Sequence, residues 1–195
     1  MGFGTLLIGY LFFINPGVYD GFTNMIGYLF IAYGLLSLRA YNKPMRYAFY
    51  AVLPLLLVGA VDFVLTGGGF LALFTVPEAW VAVLAVVSLA LRLVLTVLIF
   101  YGIEDLAKET KLPDVRAAAV RNRLFSYLYF VLAAALELPV YTGEMAKFAA
   151  QAAIPVAVFG LIVVLLNSHT IFNCFRWICR PEDLIEPYED GNTEK

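Results

Sequence analysis

Six apolar stretches, separated by short polar or Gly/Pro-rich breaks, constrain this chain more than any other feature. A membrane-spanning helix needs about 20 mainly apolar residues, and only the first stretch falls well short of that length. The pattern predicts an all-α, polytopic bundle of six transmembrane helices. The stretches cover about 2–14, 22–38, 47–66, 79–102, 123–141 and 147–172.

Composition supports this class and excludes others. The chain is 62% hydrophobic and 14% charged, whereas a soluble domain is about 45–50% apolar and about 25% charged. Lys and Arg number 13 against 15 Asp and Glu, so no basic excess exists to neutralise the phosphates of a nucleic acid. We therefore expect one transmembrane helical domain over 1–175 and an acidic tail over 176–195.

The basic residues predict the orientation. Eleven of the 13 lie in alternate loops or after the sixth stretch, as the positive-inside rule requires when both termini are cytoplasmic. We expect a multi-pass protein of the cell membrane, in which the first stretch crosses as a short or tilted helix or enters and leaves on one side. The eleven are Arg39, Lys43, Arg46, Lys108, Lys111, Arg116, Arg121, Arg123, Arg176, Arg180 and Lys195.

The basic loop 104–123 suggests contacts at the cytoplasmic face. Asp114 is predicted to cap a short helix over 115–120 that runs into the fifth span. That helix would bring Arg116, Arg121 and Arg123 close to anionic lipid headgroups. The expected partners are the bilayer and its anionic lipids, with a docked membrane protein or a second copy of the chain as the alternative.

An internal repeat is a further hypothesis. Pro54 and Gly59 in the third stretch have the same spacing as Pro155 and Gly160 in the sixth. These spans run in opposite directions under the predicted topology. The first and last three spans could therefore form inverted halves, as in many secondary transporters.

Three ionisable residues lie well inside the stretches, namely Asp62, Arg92 and Glu137. A charge at a helix centre costs about 2.5–3.5 kcal/mol on insertion scales, so such a residue needs a partner, water or a cavity. Each lies on a stripe of small or polar side chains at helical spacing, which indicates that these faces look into the bundle.

We predict that Arg92 pairs with Glu137 or Asp62, or with both, between spans three, four and five. Two carboxylates and one guanidinium leave a surplus negative charge, which burial opposes, so one carboxyl would bind a proton or a cation. A purely structural ion pair is the alternative interpretation. The candidate ligand- or ion-binding residues are Asp62, Ser88, Arg92, Ser126, Glu137 and Tyr141.

Span six carries an alanine ladder that ends at Gly160 and predicts a close-packed seam. The same face continues to Asn167, which should point inward, whereas His169 should point away from the bundle. Glu78 and Glu144 either flank an acidic outer mouth or are ordinary helix-end residues.

No catalytic, metal or cofactor motif is present, so we expect no cofactor and do not expect an enzyme. The first functional hypothesis is a carrier, channel or sensor with a polar intramembrane site. The second is an assembly or scaffold subunit of a membrane complex. A membrane-embedded lipid-modifying enzyme that uses carboxylates is the third.

Overall fold

The computed structural model describes residues 2–12, 20–70, 78–136 and 144–178, and all the secondary structure in these ranges is helical. The helices are α1 (Gly2–Leu11), α2 (Asp20–Leu38), α3 (Lys43–Phe70), α4 (Glu78–Glu109), α5 (Pro113–Leu136) and α6 (Glu144–Ile178). The predicted all-helical class is therefore confirmed for the described residues.

The helices form a closed up-and-down ring, in which each packs against the next and α6 packs against α1. Gly2 at the start of α1 lies against Leu38 at the end of α2, and Gly4 lies against Phe175 near the end of α6. Asn42, just before α3, bonds to the carbonyl of Gly102 late in α4. We call this the basic end of the bundle, because it also carries Arg39, Lys43, Arg46, Lys108, Lys111, Arg116, Arg121, Arg123 and Arg176.

Within the part of the chain that the structure describes, three segments are long and apolar enough to cross a membrane: Lys43–Leu65, Val83–Glu109 and Lys147–Ile178. Large apolar side chains such as Ile154, Val158 and Leu165 lie exposed on the outward face of α6, a pattern that suits lipid and not water. By length and composition, these helices indicate a membrane protein. The ten-residue helix α1 is about 15 Å long, roughly half of a hydrocarbon core.

Four glycines bring α1 and α2 together. A Cβ added at Gly9 would lie 2.8 Å from the carbonyl oxygen of Gly27, and one at Gly34 would lie 2.8 Å from that of Gly2. Both are collisions with backbone, so only glycine permits this approach. The two pairs repeat at seven-residue intervals on each helix, and this small-residue seam holds α1 against the bundle.

The fifth helix begins two residues earlier than the sequence pattern indicated. Arg116 donates its backbone N–H to the carbonyl of Leu112, and Pro113 is the first helical residue. Proline suits that position because its fixed φ matches the helix and no N–H is needed there. Asp114 therefore lies inside the first turn, where its negative charge is favourable, and does not precede the helix as a cap.

Candidate functional site

A partly buried polar contact links α4 to α2 near the middle of the bundle. Arg92, near the midpoint of α4, donates from Nε to the phenolic oxygen of Tyr28 at 2.6 Å. Its guanidinium carbon also lies 5.6 Å from the centroid of the Tyr28 ring. A hydrogen bond from a charged donor is stronger than a neutral one, and here the acceptor is only 1% exposed.

A glycine on α3 makes room for this tyrosine. A Cβ added at Gly59 would lie 3.1 Å from Cδ2 of the Tyr28 ring, so the ring occupies the space that any side chain would take. Asp62 follows three residues later and is half-buried. Residues three apart share a helix face, so Asp62 lies on the face of α3 that packs against α2 and Tyr28.

The polar contacts continue toward the basic end on the inner face of α4. Thr96, one turn after Arg92, accepts a hydrogen bond of 2.9 Å from the buried hydroxyl of Tyr10 on α1. Asn24, one turn from Tyr28 on α2 in the direction away from the basic end, is also buried. Buried polar groups are costly unless hydrogen-bonded, and the bonds of Tyr10 and Tyr28 reduce that cost.

The candidate residues named from the sequence are divided between two helix interfaces. Ser88 lies one turn from Arg92 on α4 and is half-buried. Ser126 instead accepts a hydrogen bond of 3.2 Å from Asn167 on α6. Glu137 and Tyr141 lie outside the described residues, so the pairing of Arg92 with Glu137 stays a prediction.

Tyr10 and Tyr28 are the residues that sequence reasoning missed. Tyrosines are common at the ends of spans, where they form interfacial belts. Because the chain has many tyrosines, the two that are buried in the bundle could not be distinguished from interfacial ones by residue type. The available signal was position: Tyr28 lies ten residues before the end of α2, well away from a membrane interface.

A second polar cluster joins α5 to α6 nearer the basic end. The side-chain amide of Asn122 donates to the carbonyl of Leu166 at 2.8 Å and to the hydroxyl of Thr170 at 2.9 Å. Asn167 is buried, as predicted, and its Oδ1 has no hydrogen-bond partner among the described residues. His169 is exposed, which confirms the prediction that it points away.

Among the described residues, the alanine ladder packs closely at its Gly160 end. A Cβ at Gly160 would collide with the Tyr129 ring on α5, so the seam is tight there. Ala153 and Ala157 are exposed and help to line a cleft of about 360 Å³ between α5 and α6. The alanine part of the ladder therefore forms a cleft and not the continuous seam that the spacing predicted.

Arg123 is separated from the other basic residues of its loop. It donates to Glu104 Oε2 at 2.8 Å and lies 3.8 Å above the ring of Tyr101. Both partners are on α4, so Arg123 ties the α4–α5 pair together, and its side chain is only 16% exposed. A carboxylate and an aromatic ring hold its side chain against α4, and its proximity to lipid headgroups stays a prediction.

Within the described residues, no cluster of three or more His, Cys, Asp or Glu side chains could hold a metal ion. No family model, curated protein or solved structure matches the chain. Function is therefore inferred from the geometry of the polar contacts described above.

Proposed function

We propose that the chain is a six-span carrier or sensor whose ligand site surrounds Arg92 and Asp62. The observation that carries the proposal is the Arg92–Tyr28 contact, because an ionisable residue deep in a span marks a functional site by default. Asp62 would balance the guanidinium and bind a proton or a small cation. Glu137, outside the described residues, would complete the pair of carboxylates.

The proposed orientation places both termini and the basic end in the cytoplasm of a cell-membrane protein. This orientation is supported because the nine described basic residues of the loops and of the end of α6 all lie at the same end of the bundle, as the positive-inside rule requires. Helix α1 begins at that end and α2 returns to it, so the side of the N-terminus does not depend on how far α1 penetrates.

Correspondence between the two halves of the ring supports the carrier class. Tyr28 lies against Gly59, and Tyr129 lies against Gly160; the members of each pair are 31 residues apart, and the pairs are offset by 101. The same offset relates Pro54 to Pro155. The first residues of α3 and α6, Lys43 and Glu144, are also 101 apart.

The ring of contacts is compatible with such a repeat. Exchanging α1, α2 and α3 for α4, α5 and α6 maps each of the six closely packed pairs onto another of them, as in any ring of six helices. Because each half has three helices, the halves run in opposite directions. Inverted halves with a site near the midplane are typical of secondary transporters, in which one half rocks against the other.

The test uses Asp62→Asn and Arg92→Gln, with the exposed Asp105→Asn at the basic end as the control. Purified protein is unfolded thermally from pH 5 to 8 with and without sodium or potassium, and vesicles are assayed for proton flux with a pH-sensitive dye. We expect the unmodified chain to show an ion- or pH-dependent response. Asp62→Asn should abolish it while the protein stays folded.

Two results would overturn the proposal. One is a wild-type chain with neither flux nor ligand-dependent stability. The other is a set of site variants that only destabilise the fold or release a co-purifying protein, which is the outcome expected of a scaffold subunit.

A further inference from the structure

We propose that the groove between the end of α4 and the start of α5 binds an anionic phospholipid from the leaflet at the basic end. This inference uses the proposed placement in a membrane but not the carrier site. The groove has a volume of about 820 Å³ and opens outward from the ring.

Positive charge surrounds the groove. Lys108, Lys111, Arg116 and Arg121 contribute to its lining. Arg116 lies 3.8 Å from Glu104 and is half-exposed, a looser contact than the 2.8 Å bond that Arg123 makes to the same carboxylate. Four cations line the groove and its lining includes no carboxylate, so the groove is complementary to a phosphate-bearing headgroup.

The floor of the groove is apolar, which selects a lipid over a free anion. Leu112, Ala117, Val120 and Leu124 line it. Val120 and Leu124 begin an exposed stripe that continues along α5 at helical spacing through Leu128 and Val131. A headgroup at the basic rim would therefore direct an acyl chain along this stripe, where apolar contact is gained over its length.

The backbone at Lys111 supports a role for its side chain. Leu112 N–H bonds to the carbonyl of Ala107 and Lys111 N–H to that of Lys108, the pattern of a helix end that usually has glycine at the left-handed position. Lys111 occupies that position with φ of 56°. A side chain costs about 1 kcal/mol there relative to glycine, yet it places an ammonium at the groove.

The experiment measures lipid retention directly. The full chain is reconstituted in phosphatidylcholine nanodiscs that contain phosphatidylglycerol, and native mass spectrometry counts the phosphatidylglycerol molecules that stay bound. Lys111→Gly should lower retention about fivefold and also raise the Tm, because it relieves the left-handed backbone. A merely structural lysine would raise the Tm without loss of lipid.

Two controls test the site and its apolar floor. Lys43→Gln removes an exposed charge at the same end but away from the groove, and should leave retention unchanged. Ala117→Trp removes no charge but fills the groove, and should lower retention. Arg92→Gln should leave phosphatidylglycerol retention unchanged, because Arg92 does not line the groove. This separates the inference from the carrier proposal.

Three outcomes would overturn the inference. Equal losses in Lys43→Gln and Lys111→Gly would indicate diffuse surface charge. Full retention of phosphatidylglycerol in Ala117→Trp would show that the lipid does not contact the apolar floor. Displacement of phosphatidylglycerol by soluble glycerophosphate at comparable concentration would indicate a headgroup-only anion site.

Discussion

Tyr28 and Tyr129 occupy corresponding places in the two halves of the ring but have different surroundings. Each packs on a glycine 31 residues further along the chain. Tyr28 is fully buried and accepts a hydrogen bond from Arg92. Tyr129 is half-buried and lines the alanine cleft between α5 and α6.

The difference shows that the same tyrosine–glycine contact occurs in two different polar environments. The first half closes around its tyrosine because α1 packs closely on α2 through glycine and contributes Tyr10 to the inner face of α4. The second half keeps the tyrosine–glycine contact but carries small side chains on the facing surfaces. The charged Arg92 therefore lies half-buried beside a fully buried tyrosine.

The largest effect is expected from Gly9→Ala. The new Cβ would meet backbone atoms of α2 at 2.8 Å, which cannot yield as a side-chain tip can, so α1 must move. We expect a loss of about 3 kcal/mol in the free energy of unfolding, measured by thermal or chemical unfolding in detergent.

Gly4→Ala is the matched control on the same helix. Its Cβ would lie 3.5 Å from the Phe175 ring, an ordinary contact, and alanine favours helix by up to about 1 kcal/mol. Equal losses in the two variants would show that α1 does not close the first half through its contact with α2.

Tyr28→Phe should have the next largest effect. It removes the acceptor of a bond from a half-buried guanidinium, and we expect a loss of about 2 kcal/mol. Tyr10→Phe removes a neutral bond to Thr96 and should cost about 1 kcal/mol. A double-mutant cycle that combines Tyr28→Phe with Arg92→Gln gives the coupling energy between the two side chains. A value near zero would show that the Arg92–Tyr28 contact does not stabilise the packing of the first half.

Asn122→Ala tests the hydrogen bonds that join α5 to α6 in the second half, near the basic end. The variant loses two hydrogen bonds to α6 and should cost about 1.5 kcal/mol. Asn167→Ala loses a single longer bond to Ser126 and should cost less. If Asn167→Ala is the more damaging change in the same unfolding assay, the pairing of α5 and α6 depends on Asn167 rather than Asn122.

The smallest effects are expected from Gly59→Ala and Gly160→Ala, which should be compared with each other. Tyr28 is fixed by burial and by Arg92, so a Cβ at Gly59 should cost about 1 kcal/mol. Tyr129 can turn into the neighbouring cleft, and the helix preference of alanine should offset much of the cost at Gly160. A larger loss at Gly160 would contradict the description of the second half as open.

Much of the helical framework was predictable because lipid imposes length and apolarity on each span. The bounds of α2, α3 and α6 lie within a few residues of the apolar stretches, although α4 continues seven residues beyond Gly102 to Glu109. The inward face of Asn167 followed from helical periodicity alone. The site was less predictable, because Asp62 and Arg92 are visible as charges whereas Tyr28 resembles many interfacial tyrosines.

Sequence alone determined the class of the molecule, the alternation of its helices and the segregation of its basic residues, since these depend on local composition and period. Only the tertiary structure decided that Arg92 faces Tyr28, that Ser126 belongs to the α5–α6 interface, and that Arg123 turns inward to Glu104. Those choices depend on how closely two helices approach. That distance is set by glycines and ring positions on different helices, and no single segment encodes it.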